Sequence, residues 1–307
     1  MKVKTSLAQC SKRCLYEALS ADMLERVARD VIPDYDLHAR TGFPPNIPMQ
    51  VQVAASRVVD DMIASGLFVH FAERLARLDS EGFMGRAYRI PGLREILKGI
   101  AAEGFLWDDA TGLFMEDPRI RRTPNWGRII PGEEHRFSLL RVDVVKNSSL
   151  VRKHGESAAR GAYDDLRTIL ARCVERRSGR VWIWEGDGAL ASFVFGHSTT
   201  GAALAGIALL HELYIYNRMQ NSLGEPLMVR AAVHTGPLRY AVDAEEIYKQ
   251  ETAREVQEAE SRWTPPLGLS ITPAVAPTLD RVILDRFRKP DEPKARTLVY
   301  EIRMAGP

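Results

Sequence analysis

From Phe137 onward the chain alternates between strand-like and helix-like hydrophobic patterns, and that rhythm restricts it to a layered sheet-and-helix architecture. Leu139 to Val145 reads as a strand. Ser157 to Arg177 reads as a helix with Tyr163, Leu166, Leu170 and Val174 on one side. Val181 to Trp184 and Ala189 to Phe195 are strands joined across Glu-Gly-Asp-Gly, a hairpin signal. Ala202 to Asn217 is a nearly all-apolar, Ala-rich helix and should be buried. Leu227 to His234 and Leu238 to Val242 are predicted as two strands joined at Thr235-Gly236-Pro237. Ala244 to Trp263 is predicted as one long polar helix. Leu267 to Thr272 is a strand, Pro273 to Leu279 a short helix and Leu298 to Ile302 a closing strand.

The order β-α-β-β-α-β is that of a ferredoxin-like sheet with helices on one face, here with additions, so the fold class is α+β. The first half reads differently. Leu15 to Val31 is predicted as one helix ended by Pro33, and Thr41 to Met49 is a connector that its prolines keep out of a helix. Helices follow over Val51 to Ser65, Leu67 to Leu78 and Leu93 to Ala102, then a hairpin over Phe105 to Glu116. Pro118 to Gly132 is a basic, proline-containing connector, which sets a helical domain over 1–130 apart from a second domain over 136–307.

Charge and cysteine usage exclude several functions. The formal net charge of +2 argues against a polyanion binder, so no nucleic-acid binding is expected. Cys10, Cys14 and Cys173 form no paired framework, which suggests a reducing compartment. Cys10 and Cys14 suit helix packing better than zinc. No apolar run approaches membrane-spanning length, and the expectation is a soluble, cytoplasmic protein without a membrane span.

Two aspartates carry the chemistry. Asp143 sits inside the apolar run Leu139 to Val145, where a carboxylate is costly unless paired or bound to metal. Asp187 sits in Gly186-Asp187-Gly188. The bland readings are a helix N-cap and an ordinary turn residue. Together, at strand edges beside backbone turns, they suit two divalent cations whose remaining ligands are nucleotide phosphates. No nucleophile–base arrangement for covalent catalysis is present among the scattered histidines.

At this point the residues from Arg136 to Arg303 resemble the catalytic domain of class III nucleotidyl cyclases. RVDVVKNSSL, WEGDGALASF, VRAAVHTGPL and PKARTLVYEI match four blocks of that family in its order. The compact WEGDGAL hairpin and the short spacing after His-Thr-Gly are most similar to bacterial pyrimidine cyclases of anti-phage (Pycsar) defence. The helices of the first half resemble small adaptor domains of bacterial defence proteins, implying a regulatory or adaptor role.

The resemblance implies a site and a reaction. Asp143, Asp187 and the backbone at Val144 would hold two Mg2+ or Mn2+ ions. Lys146, Asn147, Ser148, Ser149 and Lys294 would bind phosphates, although the family has Gly-Phe-Thr where this chain has Lys146-Asn147-Ser148. Gln250 and Arg254 take the spacing of the family's Asn-x-x-x-Arg pair, with Arg254 on the transferring phosphate. Ile183, Trp184, Asp243 and Tyr240 would form the base pocket, Ile183 standing where purine cyclases carry lysine. The implied reaction converts UTP, CTP next, to a 3′,5′-cyclic nucleotide and pyrophosphate. A homodimer with its sites at the interface, and a downstream effector reading the product, are further implications. The alternatives are an adenylate cyclase and an inactive nucleotide sensor of the same fold. A diguanylate cyclase would show Gly-Gly-Asp/Glu-Glu-Phe at the hairpin, which WEGDGAL is not.

Overall fold

Ser20 breaks the helix that hydrophobic periodicity alone predicts over Leu15 to Val31. Its hydroxyl accepts from the N–H of Met23, so α1 (Thr5–Ala18) ends and α2 (Ala21–Arg29) begins with a side-chain cap. The computed structural model describes residues 2–44, 46–290 and 295–302. It divides into two units, Met1–Arg128 and Ile129–Pro307.

In the first unit α3 (Leu37–Thr41) precedes α4 (Val51–Ala64), whose Ala54, Ala55, Val58, Val59 and Met62 are fully buried. After α4 the N–H groups of Gly66 and Leu67 bond back to Ile63 and Met62, closing the helix as the left-handed Gly66 requires. α5 (Phe68–Glu81) and α6 (Leu93–Ala101) follow, then the hairpin of β1 (Phe105–Asp108) and β2 (Leu113–Glu116). Glu73 of α5, itself buried, takes the guanidinium of Arg128 at 2.9 Å and the N–H of Phe114 at 3.0 Å. A buried charge is tolerable here because it is paired and fully hydrogen-bonded.

The second unit is built on β3 (Glu134–Val144). α7 (Asn147–His154) and α8 (Glu156–Glu175) lead to β4 (Arg180–Glu185) and β5 (Gly188–Phe193). α9 (Ser198–Met219) returns to β6 (Val229–Arg239). α10 (Ala244–Tyr248) and α11 (Glu251–Trp263) precede β7 (Gly268–Ile271) and β8 (Leu298–Glu301). The six-stranded sheet has the order β4-β5-β3-β6-β7-β8, and its first four strands are all antiparallel. That is the split βαβ order expected from the sequence. β7 adds in parallel to β6, and β8 antiparallel to β7.

Alternation along β3 sets the two faces of the sheet. Leu140, Val142 and Val144 join the main core with α8 and α9. Phe137, Leu139, Arg141 and Asp143 face the other way, where α11 lies, tied to β6 by the Thr252 hydroxyl on the Pro237 carbonyl.

Three local expectations are corrected. The predicted hairpin at Thr235-Gly236-Pro237 is absent, because β6 runs straight through and pairs with all of β3. Tyr240 bonds to Glu133 and Val145 to Met228, so alternation leaves Arg136–Pro237 a non-hydrogen-bonded pair, and the missing proline N–H costs the ladder nothing. The polar helix over Ala244 to Trp263 is interrupted between α10 and α11. Only a 3-10 turn, Ala276–Thr278, forms within Pro273 to Leu279. Among the described residues no helix is long and apolar enough to cross a membrane.

Candidate active site

Asp143 lies one residue from the end of β3, opposite Gly188 on one side and Arg230 on the other. Asp187 is the second residue of the two-residue turn joining β4 to β5. Gly186 precedes it at φ 57°, a conformation such a hairpin loop needs. Both carboxylates therefore come to one end of two paired strands. Gly188 leaves them room: a Cβ there would stand 3.3 Å from Asp143 Oδ1 and 3.0 Å from Arg141 Nη2.

Charges crowd this end. Arg230 Nη2 donates to Asp143 Oδ2 at 2.9 Å, its Nε lies 3.0 Å from Glu260 Oε1, and its Nη1 reaches the Ser261 carbonyl at 3.3 Å. Glu260 is only 2% exposed. Burial pushes its carboxyl up to about 7, Arg230 opposes that rise, and Asp143 and Asp187 add to it. Arg141 donates to the Tyr248 hydroxyl. The Tyr163 phenol is raised first by burial and then by Asp187, and donates to the Asn147 side-chain oxygen.

The loop after β3 turns sharply. Lys146 takes left-handed angles, φ 58° and ψ 37°, and its carbonyl accepts from Ser149 and Leu150 as α7 starts. The N–H groups of Asn147 and Ser148 open that helix and have no acceptor within it. Such a terminus suits an anion. Lys146, Ser148 and Ser149 are exposed beside it, whereas the Asn147 side chain is engaged by Tyr163.

At the far end of the sheet Tyr240, Asp243 and Gln250 share a cavity of about 650 Å³. Asp243 caps α10 through the N–H of Glu245. The helix break makes Gln250 the residue that precedes α11. Its amide accepts from Arg239 N–H and donates to Arg239 O, both at 2.8 Å. Gln250 and Arg254 still stand one turn apart, joined through the Gln250 carbonyl, and Arg254 is exposed.

The tryptophans beside Ile183 are sorted by an irregularity in β4. Register shifts between Val181 and Ile183. Ile183 pairs with Leu190, itself opposite Arg141, so it lies on the Asp143 face. Trp182 points the same way and packs on Phe137 and Tyr240 at 4.9 and 5.3 Å. Trp184 does not: it joins the main core on the opposite face, with Arg167 of α8 over its ring at 5.1 Å. The structure therefore removes Trp184 from the base-pocket set and puts Trp182 beside Tyr240. Lys294 lies outside the described residues.

Most of the predicted residues thus fall at two ends of the sheet, with Ile183 and Trp182 lying between them on the Asp143 face. Arg230 and Arg239, opposite Asp143 and Glu134, are nine steps apart on β6, about 30 Å at ~3.3 Å per residue. One small substrate cannot touch both Asp143 and the Tyr240–Asp243–Gln250 cavity of a single chain, whereas Arg254 lies on α11 only six residues, ~9 Å along the helix, from Glu260. Among the described residues no three His, Cys, Asp or Glu side chains converge to enclose a metal. Two carboxylates and a carbonyl fit a hard cation that keeps water or phosphate in its shell, and not an all-protein cage. The Arg230 guanidinium already stands where such a cation would meet Asp143.

Sequence reasoning missed Arg230, Glu260 and Arg141. Arg230 is a lone charge inside an apolar strand run and Arg141 shares such a run with Asp143, the same signal that picked out Asp143. Glu260 carries no such mark within a helix full of charges.

No protein-family model matches the sequence, and no curated protein matches it. Solved structures do. The guanylyl cyclase Cya2 is 17% identical, with a TM-score of 0.46 over 55% of this chain and 92% of that one. The adenylyl cyclase CyaB from P. aeruginosa is 13% identical, with a TM-score of 0.45 over 57% and 96%. The guanylate cyclase domain of RhGC from Catenaria anguillulae, solved with GTP, is 12% identical, with a TM-score of 0.45 over 55% and 96%.

Proposed function

We propose that the second unit is a nucleotidyl cyclase that acts as a homodimer. The observation that carries this reading is the separation of the carboxylate pair at one end of β6 from the cavity of Tyr240, Asp243 and Gln250 beyond its other end, with Trp182 and Ile183 between them. Two copies arranged head to tail bring the complementary ends together, and each dimer then has two complete sites.

In one copy Asp143, Asp187 and the Val144 carbonyl hold the divalent ions, which when bound lower the pKa of the ribose 3′-hydroxyl and neutralise the triphosphate. The α7 terminus with Lys146, Ser148 and Ser149 holds the phosphate tail, and Lys294 joins it on the strength of the motif. In the other copy Arg254 stabilises charge on the α-phosphate as the 3′-oxygen attacks and pyrophosphate leaves. Asp243 accepts from uracil N3–H or the cytosine amino group. Trp182 and Tyr240 narrow the pocket, and Ile183 offers no amine to a purine. UTP is the first-choice substrate and CTP the second, and the product serves as a messenger in anti-phage defence, read by a downstream effector. The first unit regulates or links this activity.

One observation favours a second reading. The Gln250 amide accepts from Arg239 N–H and donates to the carbonyls of Arg239 and Glu246, so its donors are spent on backbone and not on a ribose. A nucleotide-binding sensor without turnover accommodates that.

Incubating the protein with each of the four nucleoside triphosphates and Mn2+, and weighing the products, separates the readings. Cyclic UMP or cyclic CMP is expected. Cyclic AMP alone would remove the pyrimidine assignment, and nucleotide binding without any cyclic product would leave the sensor.

A further inference from the structure

Resting on the reading that Asp143 ligates a divalent cation, we infer that Glu260 is a positioning residue: through Arg230 it sets how readily Asp143 accepts that cation. The reasoning starts from what holds the Arg230 side chain. It donates to Asp143 Oδ2 at 2.9 Å and to the Ser261 carbonyl at 3.3 Å, and its Nε forms an ion pair with Glu260 Oε1 at 3.0 Å without hydrogen-bond geometry. The last two belong to the final turn of α11. Only the first belongs to the candidate metal site.

A cation that takes Asp143 Oδ2 must displace Nη2. The guanidinium is permanently charged, so it needs somewhere to go. Glu260 supplies that place. It is buried to 2% exposure, 3.0 Å from the Nε, and its neighbour Ser261 holds a second edge of the same group. With Glu260 ionised, Arg230 remains anchored to α11 after it releases Asp143. Without that carboxylate, Asp143 is the only anion in contact with the guanidinium, which then competes with the incoming ion.

The test needs no turnover. Mn2+ binding to the full chain is read from the electron paramagnetic resonance of free Mn2+ at pH 8, without nucleotide, with thermal melting as the folding control. Asp143→Asn should abolish the Asp143-dependent site. Glu260→Gln, which keeps shape and hydrogen bonding, should weaken Mn2+ binding about tenfold, the usual effect of losing a group that orients a metal ligand. The double variant Arg230→Leu/Glu260→Leu removes competitor and anchor together and should bind at least as tightly as the unaltered protein. Wild-type affinity in Glu260→Gln would overturn the inference and leave the cation site standing. So would a double variant as weak as Glu260→Gln, because Glu260 would then act through space and not through Arg230. Mn2+ binding that survives Asp143→Asn sinks the cation assignment itself, and this inference with it.

Discussion

The Asp143 carboxylate is gripped by a guanidinium on one oxygen and faces a glycine with the other, so its neighbours decide what it can bind. Replacing Gly188 by alanine puts a methyl 3.3 Å from Oδ1 and 3.0 Å from Arg141 Nη2, and one of them must shift. Alanine also fits a strand better than glycine, so global stability should stay within about 1 kcal/mol. Mn2+ affinity should nevertheless fall about tenfold, and a calorimetric titration giving unchanged affinity would refute the crowding argument. Glu260 makes a second prediction. Burial lifts its carboxyl from an ordinary 4.5 to about 7, so the folded state holds the proton more tightly than the unfolded chain. Stability from this group is complete below about 4.5 and is lost as pH rises through about 7. Glu260→Gln cannot titrate. Its stability, read from melting curves, should gain on the wild type steadily across that window, by up to about 3 kcal/mol at the alkaline end. Parallel melting curves at every pH would show that Glu260 is not the titrating group.

At the scale of elements, the strand and helix order was readable because each element has enough apolar residues to show its period. Gly186-Asp187-Gly188 marked its own turn. What was not readable depended on partners. Thr235-Gly236-Pro237 has turn composition, yet β3 supplies a full-length ladder in which Pro237 needs no N–H, and β6 stays straight. In the same way, the sequence Trp182-Ile183-Trp184 alternates on paper, and only the register shift in β4 decides which ring faces Asp143. The two tryptophans should therefore behave differently. Trp182→Ala should admit larger bases and raise purine turnover relative to UTP, because it empties the space beside Tyr240. Trp184→Phe should leave base preference unchanged and cost about 1 to 3 kcal/mol, since it trims a core contact with α8. Selectivity assays on the two variants decide the point, and a change of base preference in Trp184→Phe would reverse the assignment of faces.

At the scale of the whole molecule, the two groups of candidate residues were legible one by one, but their distance was not. Asp143 and Asp243 are read from motifs that carry no length. Laid along β3 and β6 they stand at opposite ends, and a site that needs both must draw on two chains. That requirement can be tested without a structure of the dimer. In the proposed dimer Asp143→Ala removes the cation end of each site, and Asp243→Ala the other end. Each variant alone should lose nearly all turnover if the proposed homodimer forms, because every site in it is incomplete. Mixed in equal amounts and allowed to exchange, half the dimers carry both lesions, one on each chain. In such a dimer both lesions fall in the same site and the other site is whole. Activity should then recover to about a quarter of the wild-type value. A mixture as inactive as its parents, while size-exclusion chromatography shows that mixed dimers form, would mean that Asp143 and Asp243 serve one site within a single chain, contrary to the separation along β6.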